Sequence, residues 1–149
     1  MAIEHRSSRD NARTPVQWDD TRNAGFTTAE TPWMDVNQNY TWLNVAQQEE
    51  DPDSILNCYR KALALRKSLK SVRYGVYREF FHNSSTLYCF SREAKCEKIL
   101  VFCAFSEKPQ KIKVPKGFDL SKAELLLKNY DVIDPDTLKP YECRVYRFK

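Results

Sequence analysis

The first fifty residues carry no hydrophobic period, and this limits the folds open to the chain more than any other feature. From Met1 to about Glu50 the composition is polar, dominated by Thr, Asn, Asp and Gln, with no sustained repeat of 2 or of 3.6. Yet Trp18, Phe26, Trp33, Tyr40 and Trp42 punctuate the segment. Loops longer than about 12–15 residues are uncommon inside a compact domain and are then functional or disordered. Disorder normally lacks so many aromatics. The stretch is therefore either a long functional loop or one piece of a larger architecture.

A helix follows. In DPDSILNCYRKALALRKSLKS, Asp51 is placed to cap, Pro52 suits the first helical position, and Asp53 favours the positive end of the dipole. The spacing predicts a helix over about 52–70. Ile55, Tyr59, Ala62 and Leu63 make one apolar stripe, while Arg66, Lys67 and Lys70 suit the C-terminal end. That stripe needs a partner, which the helix itself does not name.

From about Val72 to Lys149 the pattern is β. VRYGVYREFF, TLYCFSRE, KILVFCAF and QKIKV are short runs rich in β-branched and aromatic residues, parted by HNSS, EAKCE and SEKP. AELLLKNY and CRVYRFK are two further strands, with DVIDPDTLKPY as the loop between them. AELLLK has helical propensity, but as a short apolar run bounded by turns it reads as strand. The expected fold class is mainly β: a C-terminal antiparallel β-sandwich over 71–149, preceded by one amphipathic helix and a long irregular segment within 1–70.

Composition narrows the function classes. Of 149 residues, 24 are basic and 20 acidic, a net charge of +4 with both signs interspersed. A solvated mixed surface explains that balance better than nucleic-acid binding does, so no nucleic-acid partner is expected. No run of 18 apolar residues occurs, so no membrane span is expected, and MAIEHRSSRD lacks the apolar stretch of a secretory signal. Five cysteines, Cys58, Cys89, Cys96, Cys103 and Cys143, are odd in number and form no CxxC motif. They read as apolar fillers in a reducing cytoplasm rather than as a zinc site or disulfide framework. His5 and His82 lack ligand partners at metal spacing, and neither a metal nor a cofactor is expected.

No catalytic group stands out. Asp19, Asp20, Asp35, Glu49, Glu50 and Asp51 are the candidate carboxylates for glycoside hydrolysis, but none lies at the end of a buried strand that could aim it. No GxSxG elbow occurs, and three glycines cannot build a phosphate-cradling loop. Tyr74, Tyr77, Phe80 and Phe81, interleaved with Arg73 and Arg78, fit a strand with one buried and one wet face better than a nucleic-acid platform. There remains RDNARTPVQWDD, Arg9–Asp20. Its arginines could bridge vicinal hydroxyls or hold a carboxylate, or could equally pin the loop by pairing with Asp10, Asp19 or Asp20.

SRDNARTPVQWDDTRNAGFTTAETPWMDVNQNY, followed by WLNV, DPDSI, YRKALALRK, AELLLKNYDV and LKPYECRVYR, resembles the α-glucosidase and oligo-1,6-glucosidase branch of glycoside hydrolase family 13, the α-amylase family. The resemblance runs in order from Ser8 onward. It implies a retaining hydrolase of α-glucosidic bonds, built as a (β/α)₈ barrel followed by an antiparallel β-domain. Arg9 to about Glu50 resembles the excursion after the last barrel strand, and Asp51 to about Lys70 the final barrel helix. The family's nucleophile aspartate, acid/base glutamate and third aspartate lie upstream of this region and match nothing here, so no catalytic residue is expected. One sugar-contacting arginine of the RDN motif matches Arg9, with Arg13 the other arginine of the stretch. Val16 stands where relatives commonly have methionine.

Three expectations follow. The resemblance implies a C-terminal portion of a cytoplasmic α-glucosidase, inactive alone and binding α-glucoside oligosaccharides weakly through Arg9. A standalone β-sandwich binding carbohydrate or protein through Trp18, Trp33 and Trp42 is the second. The third is a complementing subunit onto which a separate barrel fragment docks along the apolar helix face.

Overall fold

The β-branched and aromatic runs pair into antiparallel ladders, as their alternation requires. The computed structural model of the protein describes residues 13–149. The chain forms two compact units, Met1–Tyr59 and Arg60–Lys149.

In the second unit a five-stranded antiparallel sheet has the order β1-β2-β3-β7-β5, from β1 (Val76–Phe80), β2 (Leu87–Ala94), β3 (Glu97–Ala104), β7 (Cys143–Phe148) and β5 (Glu124–Lys128). A smaller ladder pairs β4 (Gln110–Lys111) with β6 (Thr137–Leu138). The chain is thus mainly β, and ELLLK is strand despite its helical propensity. EAKCE turns as expected, with Lys95 and Cys96 joining Ala94 to its partner Glu97.

Each face of the large sheet carries its own apolar cluster. Leu87, Cys89, Leu100, Phe102, Ala104 and Tyr146 gather on one face with Leu138 from β6, and Ile112, Phe118 and Phe148 pack against them. Phe118 meets Phe148 and Phe80 edge-on, at centroid distances of 5.2 and 5.9 Å. On the opposite face Ile99 and Val101 pack with Leu69, with Leu65, Val72, Phe90 and Val145 around them.

Three short α-helices occur among the described residues: α1 (Val45–Glu50), α2 (Ile55–Ser68) and α3 (Lys70–Tyr74). The helix expected over about 52–70 starts at Ile55, because Ser54 rather than Asp51 closes its first turn. Ser54 Oγ accepts from Asn57 N–H at 3.2 Å, and Asp51 instead receives Asp53 N–H in a turn ahead of the helix. The expected strand VRYGVYREFF begins only at Val76, since Lys70–Tyr74 is helical. Gly75 makes that change of structure: a Cβ there would lie 2.4 Å from Ser71 O and 2.9 Å from Glu93 N.

Two further differences have local causes. DVIDPDTLKPY, read as loop, contains β6, whose Leu138 is fully buried. QKIKV pairs over only Gln110–Lys111, between Pro109 and Pro115. The excursion from β5 to β7 is held by a buried ion pair. Arg144 Nε meets Glu142 Oε1 at 2.7 Å with both side chains wholly buried. Arg144 also donates to the carbonyls of Asp134 and Thr137, and Glu142 accepts from Lys139 N–H. Burial disfavours the Glu142 carboxylate, but its bonds to Arg144 and Lys139 hold it below the ordinary range.

Candidate functional site

Polar side chains, not an apolar core, give the first unit its shape. Gln17 Nε2 donates to Asn39 Oδ1 and to Leu43 O, each at 2.7 Å. Val45 N–H and Ala46 N–H return bonds to Gln17 O and Trp18 O, fixing the start of α1 to this strand-like segment. Asn44, nearly buried, caps α1 by accepting from Gln47 N–H and donates its amide to Tyr40 O. The stretch expected to be irregular holds α1 as well as short 3₁₀ turns at Arg22–Gly25 and Gln38–Thr41. The signal for α1 was the Asn44 cap preceding a six-residue run with only Val45 and Ala46 apolar.

The turn after Trp18 is tighter still. Asn23, Ala24 and Gly25 all take positive φ, near 56, 56 and 65°, and Ala24 is buried. A Cβ on Gly25 would meet Asp19 Oδ2 at 2.7 Å, so this position requires glycine. Asp19 accepts from both the hydroxyl and the backbone N–H of Thr21, and the hydroxyl bond is the main reason its carboxyl lies below the ordinary range. Asn23 Nδ2 bonds Ala29 O and Arg22 bonds Glu30 O, closing the next loop on itself.

These bonds decide among the candidate carboxylates. Asp19 and Asp51 each organise a turn, and Asp20, Glu49 and Glu50 are exposed. Asp35 lines an open polar cavity of about 620 Å³ with Asn23, Asn37, Gln38 and Tyr40. Among the described residues no group of three His, Cys, Asp or Glu could hold a metal ion. Arg9, the expected sugar contact, lies outside the described residues; Arg13 is exposed. The first unit also presents aromatic surface, with Trp18, Trp33 and Trp42 at 51%, 84% and 69% exposure.

The helix stripe has a definite position. Ile55, Tyr59 and Leu63 are 83%, 64% and 41% exposed, while Leu65 of α2, Val72 of α3 and Leu69 between the two helices meet the sheet. Among the described residues no helix is long and apolar enough to cross a membrane.

An aromatic-studded polar loop, a helix and an antiparallel β-unit follow one another along the chain, and comparison with known proteins matches this chain to one family. The chain belongs to the α-amylase family: the family model for the alpha amylase catalytic domain matches residues 1–75. An oligo-1,6-glucosidase of Bacillus cereus is 43% identical over 145 residues, covering 95% of this chain and 26% of that protein. The crystal structure of a Bacillus licheniformis trehalose-6-phosphate hydrolase superposes with a TM-score of 0.89 at 36% identity, covering 99% of this chain and 28% of that one. The trehalulose synthase of Pseudomonas mesoacidophila MX-45 gives a TM-score of 0.86 at 35% identity, over 95% of this chain and 26% of that one. The chain thus spans about a quarter of the length of the relatives it matches. Those three proteins are named for three different activities.

Proposed function

We propose that these residues supply the C-terminal part of a glycoside hydrolase acting on α-glucosidic bonds of oligosaccharides, and that they turn over no glucoside alone. Residues to about 70 are the barrel-derived loop and helix, and 71–149 the β-domain. The observation that carries this reading is the family match across residues 1–75, on a unit whose described carboxylates either organise turns or face solvent. Retaining hydrolysis needs two carboxyl groups about 5–5.5 Å apart across the scissile bond, one of them held as an acid. Arg9 is the proposed glucose contact, supported by its place in the RDN motif. A reducing cytoplasmic setting belongs to the same proposal and is supported by the five cysteines being free thiols. The purified chain is expected to release no product from isomaltose or a chromogenic α-glucoside. Turnover that disappears on Asp19→Asn or Asp35→Asn would overturn the proposal.

Two observations favour variants of it. The exposure of Trp33 and Trp42 suits sugar stacking by a self-sufficient binding module. Calorimetry with malto- and isomalto-oligosaccharides decides, since millimolar binding lost on Trp33→Ala or Trp42→Ala supports a module and absence of heat removes it. The uncovered Ile55/Tyr59/Leu63 stripe suits a complementing subunit of a split hydrolase. Co-expression with a barrel fragment should then yield a complex with glucosidase activity that Tyr59→Asp abolishes.

A further inference from the structure

The five cysteines differ in placement, and two of them meet. Cys58 is on α2 in the first unit; Cys96 is exposed in the β2–β3 turn; Cys89 is fully buried, and burial pushes its thiol up to about 12. Cys103 and Cys143 are directly opposite each other in the β3–β7 ladder, with their sulfurs 3.2 Å apart. The bond from Ala104 N–H to Glu142 O flanks them, while Cys143 N–H turns away to Asn129 Oδ1. That pattern marks a non-hydrogen-bonded pair, the kind whose Cα atoms approach to about 4.5 Å, inside the range a disulfide spans. Both side chains are partly exposed, and Tyr88 is the cross-strand neighbour of Cys103 on β2.

We propose that Cys103 and Cys143 form a peroxide-sensitive dithiol site that closes to an intrachain disulfide between β3 and β7 with the ladder register unchanged. The oxidant is a hydroperoxide. The Cys103 thiolate attacks its terminal oxygen, the O–O bond breaks, and water or alcohol leaves once the departing oxygen takes a proton. Cys143 sulfur then attacks the Cys103 sulfenic sulfur; the S–S bond forms, the S–O bond breaks, and the Cys143 proton departs with the hydroxide as water. Two thiols lose two electrons and the peroxide gains them. The order of attack follows from the shared proton. Once Cys103 ionises, the Cys143 S–H donates to it, which holds Cys103 below the usual thiol range and Cys143 well above it. Cys89 sits on the other face of the sheet, in the apolar cluster with Phe102, and takes no part.

The test uses the whole 149-residue chain carrying Cys96→Ser, which removes the exposed thiol and its intermolecular chemistry. Hydrogen peroxide followed by denaturation and alkylation should lower the titratable thiols from four to two, one having been removed from the original five. The intact mass should fall by about 2 Da, and one linked peptide should join Cys103 to Cys143. Dithiothreitol should restore all four thiols. Cys143→Ser should lose the link and leave Cys103 as sulfenic or sulfinic acid. If that variant does not fold, peptide mapping of the Cys96→Ser chain decides alone. Both cysteines remaining alkylatable, both appearing only as sulfinic or sulfonic acids, or a link to Cys89 or Cys58 instead would overturn the proposal.

Discussion

The two units solve the same problem by different means. In the second, Leu100 and Phe102 are fully buried and the sheet is organised by apolar faces. In the first, the buried residues include Asn44 and Ser54, and the chain is shaped by Gln17, Asn23, Asn44 and Asp19 bonding backbone groups. Apolar burial is non-directional and tolerates a range of shapes, whereas side-chain-to-backbone bonds fix individual turns. A surface built to present polar groups in fixed positions gains from the second strategy. A module that must hold together as a sheet gains from the first.

That contrast can be broken most directly at its exception, the buried polar pair inside the apolar unit. Glu142→Ala leaves Arg144 charged and wholly enclosed, and is expected to cost about 3–5 kcal/mol in denaturant unfolding of the β-unit. A cost below about 1 kcal/mol would mean water reaches Arg144 and the excursion is not held by it. The pair also sets an acid limit. Glu142 and Glu97 both lie below the ordinary value of 4.5; burial opposes this in each, and bonds to Arg144 and Ser71 respectively prevail. Depressed carboxyls add stability that is complete above about 4.5 and is lost as pH falls through their folded values. Glu142→Gln should therefore flatten the melting temperature against pH below that point, and an unchanged slope would remove Glu142 as a cause.

A smaller and more local effect is expected in the first unit. Asn44→Ala deletes a helix cap and a bond to Tyr40 O, costing about 1–2 kcal/mol. Faster amide exchange should be confined to residues around Gln17, Tyr40 and Gln47, with protection in β2 and β3 unchanged. Spread of the loss into the sheet would mean the two strategies are not separable. Smallest of all, Ile55→Ser should change stability by less than about 0.5 kcal/mol, because the side chain is 83% exposed. A larger cost would show that the stripe is covered in solution, which would sharpen the case for a docking partner.

Much of the β-unit was legible because its strands alternate or run apolar for the length of a strand. Even the ambiguous ELLLK resolved correctly, since its neighbours were strands and its turns were marked. The misses are physical as well. β6 is two residues inside a Pro-flanked, Asp-rich stretch, and only tertiary packing reveals that Leu138 is in the core. Arg144 occupies an inward position of β7, beside Tyr146 and Phe148 in the alternation, a place a charged side chain ordinarily avoids; its partner two residues away makes burial tolerable. Asp51 was placed as the cap because three acceptors, Asp51, Asp53 and Ser54, compete ahead of the same helix. Of the first unit's loop, the aromatics and the turn-forming asparagines were visible, but which carboxylates were already engaged was not. Asp19 owes its role to Gly25 and Thr21, whose approach depends on positive φ at three successive residues.

The strand order has a consequence for how the chain is made. β5 has one neighbour in the sheet, β7, which is also the second neighbour of β3. During synthesis the β1–β2–β3 meander can zip as it emerges, since its partners are adjacent in sequence. β5 then waits, apolar and unpaired, until Cys143–Phe148 has been translated and can insert between two strands already present. For that interval the nascent chain exposes the two edges that β7 later closes, one on β3 and one on β5. A late-arriving inner strand is slow to place and open to edge-to-edge pairing with another chain. Ribosome pausing before residue 143 would lengthen that exposure, and pausing after residue 148 would not.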